Sequence, residues 1–365
     1  MYCQKCGQEN PDNAQVCRAC AAVLISPPIQ APSLSVKSSG MAIAALILGI
    51  LSIFTCALTA IPAIILGIVS LVRIEKSGGS LTGRGFAIAG IVVPSVSLPL
   101  IALLMGIMMP ALARTRQVAF RMVCGTNLAG IGKAMLIYAN DYEDELPRAG
   151  GRNSIWSKNI PNWQASNRYA AYGMKADGTG GQANISSCFY LLVKYVEVTP
   201  KSFICKGDAG VTEFIPSNEG AGSLEMIDLW DFGPEPSKHC SYSYHMPFGL
   251  YNLTTTSEPG MAVAADRNPW QDSPFVTGKN YPGAYNPDGG RRAERAGNAF
   301  AHQEDGQNVL FIDTHVGFEK RPFCGINDDN IYTFWDGGDI RRGSPPMIGS
   351  EPKNRLDSLL VNDGP

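Results

Sequence analysis

The sequence predicts an α+β chain: an N-terminal zinc ribbon, transmembrane helices, and a long helix packed on an antiparallel β-sheet headpiece with long loops. Three observations carry this. Four of the ten cysteines fall in the first twenty residues as two C-x2-C pairs. The 35 residues between Lys37 and Arg73 and the 29 between Arg84 and Arg114 carry no charge, a concentration of apolar residues that belongs to a bilayer. From residue 147 onward the chain holds 20 basic and 25 acidic residues and reads as water-soluble.

Residues 1–24 have the spacing C-x2-C-x10-C-x2-C, through Cys3, Cys6, Cys17 and Cys20. Each pair folds as a tight knuckle with two thiolates turned inward, so two knuckles supply the tetrahedral sulfur set a structural zinc ion prefers. Two dithiol redox pairs are the rival reading, without the strand and helix context of a thioredoxin-like site. So short a segment has almost no core, and Zn2+ supplies its folding energy. Residues 25–40, rich in Pro and Ser, read as an extended linker.

Residues 41–109 hold the expected transmembrane helices, at about 41–57, 60–73 and 86–109. One helix over 41–72 would reach ~48 Å, beyond a ~30 Å hydrocarbon core, so a break is expected where Thr, Cys and Pro cluster between Thr55 and Pro62. Ala45 with Gly49, and Ala63 with Gly67, put small residues four apart, which suits close helix packing. No cleavable signal peptide is expected, because a polar module precedes the first apolar run. Loop 73–85 holds Arg73, Lys76 and Arg84 against Glu75, and the positive-inside rule makes it cytoplasmic. Three spans then leave the ribbon inside and the headpiece periplasmic or external. Arg114, Arg116 and Arg121 argue for the alternative, two spans with everything inside.

The stretch 110–146 reads as a helix, with Leu128, Ile131, Met135, Tyr138 and Tyr142 on one face; Pro110 is expected to kink it as it leaves the bilayer. In the headpiece, 147–365, the candidate strands are Ser241–Tyr244, Met261–Ala265, Asn308–Ile312 and His315–Phe318. Around 146–184, 207–240 and 267–298, Gly, Pro and Asn indicate long surface loops. Cys56 and Cys124 lie in or near the membrane section; Cys188, Cys205, Cys240 and Cys324 are compatible with disulfides in an oxidising compartment or with buried thiols.

Residues 41–95 resemble a small, uncharacterised bacterial membrane domain often found behind zinc ribbons, through AIPAIILGIVSLVRI, a short basic glycine-rich loop and GRGFAIAGIVV. The first 24 residues resemble the short ribbons of many bacterial membrane proteins; Gly7 fits, whereas Ala21 replaces a usual glycine, so a slightly distorted second knuckle is expected. The run PALARTRQVAFRMVCGTNLAGIGKAMLIYANDYEDELP is similar to the N-terminal helix of type IV pilin-like and type II secretion pseudopilin-like proteins, especially the planctomycete-type set. Further matches follow in order at 189–208, 241–250, 261–270 and 299–318, and the last resembles that family's His-x9-Asp-Gly signature. The resemblance implies a pilin-like helix on an antiparallel sheet. Two features depart from it. No prepilin processing motif stands near Val93, and the signature here is His302-x10-Asp313-Thr314. A β-branched Thr314 does not suit the positive φ of an Asp-Gly turn, so a different turn is expected.

For chemistry, His302, His315, Asp266 and Asp313 are the candidates for a metal or acid-base site, although hydrogen bonds that hold loop and turn geometry are the favoured role of His302 and Asp313. Asp141–Glu145 reads as a solvated acidic helix end rather than a calcium loop. Asn184-Ile-Ser186 matches a glycosylation sequon. No phosphate loop, G-x-S-x-G elbow or H-E-x-x-H occurs. With a net charge of −2 and 17% charged residues, neither bulk-basic nucleic-acid binding nor an acidic disordered chain fits. The expectation is a non-enzymatic, multi-pass protein of the inner membrane, with Zn2+ as cofactor. Its partners are then the lipid bilayer and a protein or surface polymer, in a secretion or pilus-like assembly, and no nucleic acid. A membrane-bound regulatory adaptor with a cytoplasmic headpiece is the alternative.

Overall fold

Small residues set the packing of the first helices. In this computed structural model, which describes residues 1–24, 37–55, 58–274, 276–279 and 285–364, strand β1 (Lys37–Ser38) leads into α1 (Gly40–Phe54), α2 (Ala60–Lys76), β2 (Leu81–Thr82) and α3 (Arg84–Asp141). Most of the expected linker, residues 57 and Cys56 lie outside the described residues. Ala45 and Gly49 of α1 and Ala63 and Gly67 of α2 are buried, as the four-residue spacing predicts. A Cβ on Gly90 of α3 would come within 2.7 Å of the Ala45 carbonyl carbon, and one on Gly67 within 2.6 Å of Ile91 Cγ1. Only small residues allow that approach.

At 1.5 Å per residue α1 and α2 reach about 22 and 26 Å, short of a ~30 Å hydrocarbon core. Among the described residues α3 is the helix both long and apolar enough to cross a membrane. Its 58 residues run unbroken through Pro94, Pro99 and Pro110. The separate elements expected at 86–109 and 110–146 are therefore one helix, with no break at Pro110, and it ends at Asp141 rather than 146.

Two compact units divide the chain, residues 1–111 and 112–365. In the second, the last turns of α3 are followed by β3 (Ile155–Trp156), α4 (Arg168–Tyr172), β4 (Gln182–Ala183), α5 (Ile185–Val196), β5 (Tyr242–His245), β6 (Ala262–Asp266), α6 (Gly290–Ala296), β7 (Gln307–Phe311), β8 (Val316–Glu319) and β9 (Leu360–Val361). The antiparallel sheet has the order β8-β7-β6-β5-β9. Four of its strands fall within a residue of the expected ones; β9 and α5 were not expected, and short elements interrupt the expected loop at 146–184.

Alternation along the strands buries both faces of the sheet. Leu310 and Val361 join a core with Leu128, Ile131, Met135 and Tyr138 of α3, whereas Val309, Phe311 and Leu360 join a second core with Trp270, Tyr285 and Tyr332 from loops. Helix and sheet touch closely at Gly132, where a Cβ would lie 2.7 Å from Leu310 Cδ1. A disulfide between Cys124 of α3 and Cys205 fixes the same helix from the side. Cys124 thus belongs to the second unit, and Cys188, Cys240 and Cys324 are free thiols.

Candidate functional site

The two N-terminal knuckles repeat one backbone pattern. The Cys3 N–H donates to Gln8 O (2.9 Å) and Gly7 N–H to Cys3 O (2.9 Å); in the second knuckle Cys17 N–H donates to Ala22 O (2.8 Å) and Ala21 N–H to Cys17 O (2.9 Å). Gly7 has φ +71° and Ala21 φ +56°. The expected distortion of the second knuckle is absent, since Ala21 adopts the left-handed conformation that glycine would. The sulfurs of Cys3 and Cys20 lie 3.6 Å apart, those of Cys6 and Cys17 3.5 Å, and all four fall within 4.8 Å of one another. Tetrahedral zinc–sulfur bonds would set sulfurs about 3.8 Å apart. The backbone N–H of Lys5 holds the Cys3 thiol below its ordinary range and that of Ala19 pulls Cys17 down to about 6, while Cys6, against the pull of the Gln8 N–H, is pushed up to about 12 by the sulfurs of Cys20 and Cys17. Amides at that position favour the thiolates a metal needs. The four cysteines fit a structural Zn2+, and with every ligand supplied by the chain no open position is left for catalysis.

The second cluster lies in the headpiece. Cys124 from α3, Cys205 from the loop after α5, Asp266 at the end of β6 and His302 before β7 are each 0% exposed, with one ligand atom apiece within 4.8 Å of the rest. His302 Nε2 is 3.2 Å from Asp266 Oδ2 and 3.7 Å from Cys205 Sγ. Asp266 Oδ2 also accepts from Asn308 N–H (2.7 Å) and Nδ2 (3.2 Å). Asp266 Oδ1 and His302 Nδ1 are buried with no hydrogen-bond partner among the described residues. Nearby, Asn127 Nδ2 donates to Ile204 O (3.1 Å), so the residues around Cys124 and Cys205 bind one another as well.

Asp313 is not part of this cluster. It sits in the exposed β7–β8 turn, where its Oδ1 lies 2.5 Å from His315 Nδ1 and accepts from His315 N–H. The four residues singled out in the sequence therefore split into a buried pair and a surface pair. Burial explains the split: a hairpin turn keeps its own polar residues in water, whereas β6 and β7 lie between two apolar layers. Thr314 takes φ +67°, so the left-handed turn forms without glycine, contrary to expectation. Asn184 of the sequon is fully buried; it caps α5 by accepting from Ser187 N–H (2.9 Å) and donates to Asp231 (2.6 Å), which leaves it unavailable for glycosylation. Cys124 and Cys205 were missed as cluster members, and so was Asn308, which donates to Asp266. Extending the α3 stripe back by four from Leu128 reaches Cys124, a signal present in the sequence; nothing comparable marks Asn308.

Residues 2–24 match the zinc-ribbon domain family, and residues 41–104 match a domain of unknown function, DUF4190. Both matches end before the headpiece. No curated protein and no solved structure matches the chain.

Proposed function

We propose that the chain is a non-enzymatic, membrane-anchored, pseudopilin-like envelope protein with an exported headpiece that binds a protein or surface polymer and a ribbon that docks a partner on the cytoplasmic side. The observation that carries this reading is α3: one helix whose first half is apolar and exposed, with Leu103, Ile107 and Met109 each more than 60% exposed, and whose second half packs on the sheet. An exposed apolar row of that length favours lipid. The Cys124–Cys205 bond favours an oxidising compartment for the headpiece. Arg121, counted above against export, is bound into the headpiece: it pairs with Asp305 at 2.7 Å and lies over Phe318. It no longer weighs as a free juxtamembrane charge. Three spans, with α1 and α2 crossing a locally thinned bilayer, complete the proposal, along with a place in a secretion or pilus-like assembly.

A site-specific protease sequence inserted beside the exposed Met347 and Ile348 tests the topology. Cleavage by added protease in intact spheroplasts is the expected result. Cleavage only after lysis would overturn export and favour the membrane-bound adaptor with a cytoplasmic headpiece.

A further inference from the structure

The headpiece cluster has the composition and spacing of a metal site as well as of a disulfide. We propose that Cys124, Cys205, His302 and Asp266 form a second, buried site for a zinc-class divalent ion in the dithiol form of the headpiece, so that metal binding and the disulfide exclude one another.

Distances come first. An ion with ordinary zinc bond lengths to sulfur, imidazole nitrogen and carboxylate oxygen, arranged tetrahedrally, would hold sulfur and nitrogen about 3.6 Å apart and nitrogen and oxygen about 3.3 Å apart. The cluster already has 3.7 Å from Cys205 Sγ to His302 Nε2 and 3.2 Å from His302 Nε2 to Asp266 Oδ2. The Cα atoms of the two cysteines are 5.3 Å apart, and rotation about each Cα–Cβ bond can part the sulfurs without moving the backbone.

Hydrogen bonding gives the second argument. His302 Nε2 faces a carboxylate oxygen, which requires an N–H, and also the Asn308 amide nitrogen at 3.1 Å, which requires a lone pair. One ring nitrogen satisfies one of them. Asp266 Oδ1 has no partner among the described residues despite complete burial, which is costly for a polar atom. A divalent ion takes the Nε2 lone pair and the carboxylate together, with Asn308 left to orient Asp266 as an outer partner. Gly207 N–H points at Cys205 Sγ at 3.4 Å, two residues on. Lys5 and Ala19 stand in the same relation to Cys3 and Cys17.

Charge is the third. With a neutral imidazole, the disulfide form leaves one negative charge on Asp266; two thiolates, the carboxylate and a divalent ion also sum to one negative charge. The exchange adds no net charge to a buried place, which keeps its desolvation cost down. In balanced form, a phosphine reductant breaks the S–S bond, takes an oxygen atom from water to become the phosphine oxide, and leaves two thiols. The ion then displaces both thiol protons to solvent.

The test uses the full chain in detergent with zinc present throughout. Zinc per chain is measured after desalting, in oxidised and in phosphine-treated protein, with far-ultraviolet circular dichroism as the check on fold. One ion oxidised and two reduced, with the spectrum retained, is expected. In a Cys3→Ser/Cys6→Ser background the expected counts fall to none and one, and cobalt added to the reduced form should show thiolate charge-transfer absorption. Asp266→Asn in that background should weaken cobalt binding at least tenfold. A reduced chain that gains no ion, whether or not it keeps its fold, overturns the proposal; unchanged binding in Asp266→Asn overturns the four-ligand assignment.

Discussion

Burial, rather than opposite charge, governs several headpiece carboxylates. Burial pushes Asp231 up to about 7 and Asp329 up to about 8. Asp329 is 1% exposed and accepts from Ser358 N–H at 2.7 Å, so it ties the loop before Tyr332 to the approach to β9. A folded-state value above the unfolded one means that the folded chain holds the proton more tightly. The resulting stability is complete below the unfolded value near 4 and is lost as pH climbs through 8. Asp329→Asn keeps a neutral side chain of the same size and removes this dependence. Comparing melting temperatures at pH 5 and pH 9, the wild-type headpiece should fall more than the variant; equal falls would show that Asp329 is ionised without penalty. Residue identity was legible in the sequence where covalent spacing constrains it, as in Cys3, Cys6, Cys17 and Cys20. It was half legible at His302 and Asp266, which meet, and misleading at Asp313, whose partner His315 is its neighbour in the turn. Sequence distance says little about which carboxylate a buried histidine will face.

Among the elements, those with a clean period were legible. Leu128, Ile131, Met135 and Tyr138 form the buried stripe of α3, and β5 to β8 fall where alternating β-formers are bounded by turn residues. The helix α5 was not expected, although residues 185–193 are buried on every side of it. Two-residue β9 pairs with β5 more than a hundred positions away, and so short a strand leaves no pattern of its own. The β7–β8 hairpin shows an element overruling a local preference. Phe311 N–H donates to His315 O and Thr314 N–H to Phe311 O, a turn followed by one left-handed residue, and the register of β7 against β8 forces Thr314 to φ +67°. Such strain in a β-branched residue costs about 1–3 kcal/mol. Thr314→Gly should therefore stabilise the headpiece by about 1 kcal/mol after the extra unfolded-state entropy of glycine is counted. Chemical denaturation that gives no gain, or a loss, would show that the Thr314 methyl and hydroxyl contribute packing that outweighs the strain.

Across the whole molecule, the parts owe their folding to different forces. In residues 1–24 the buried apolar side chains are Cys3 and Cys17 alone, so the ribbon has no core apart from its sulfurs. Its backbone pattern persists only while something holds four thiolates together. The headpiece has two apolar clusters about a five-stranded sheet, and with the Cys124–Cys205 bond closed its stability does not call on a metal. A strong chelator should then unfold one part and spare the other. In oxidised protein treated with chelator, amide exchange at Cys3, Gly7, Cys17 and Ala21, whose N–H groups close the knuckles, should accelerate by orders of magnitude. The headpiece melting temperature should stay within about a degree. Protection of those four amides in the metal-free chain would mean that the knuckles fold without zinc. A fall in the headpiece transition would mean that its stability depends on a metal even with the disulfide closed, and the separation of forces argued from the cores would be wrong.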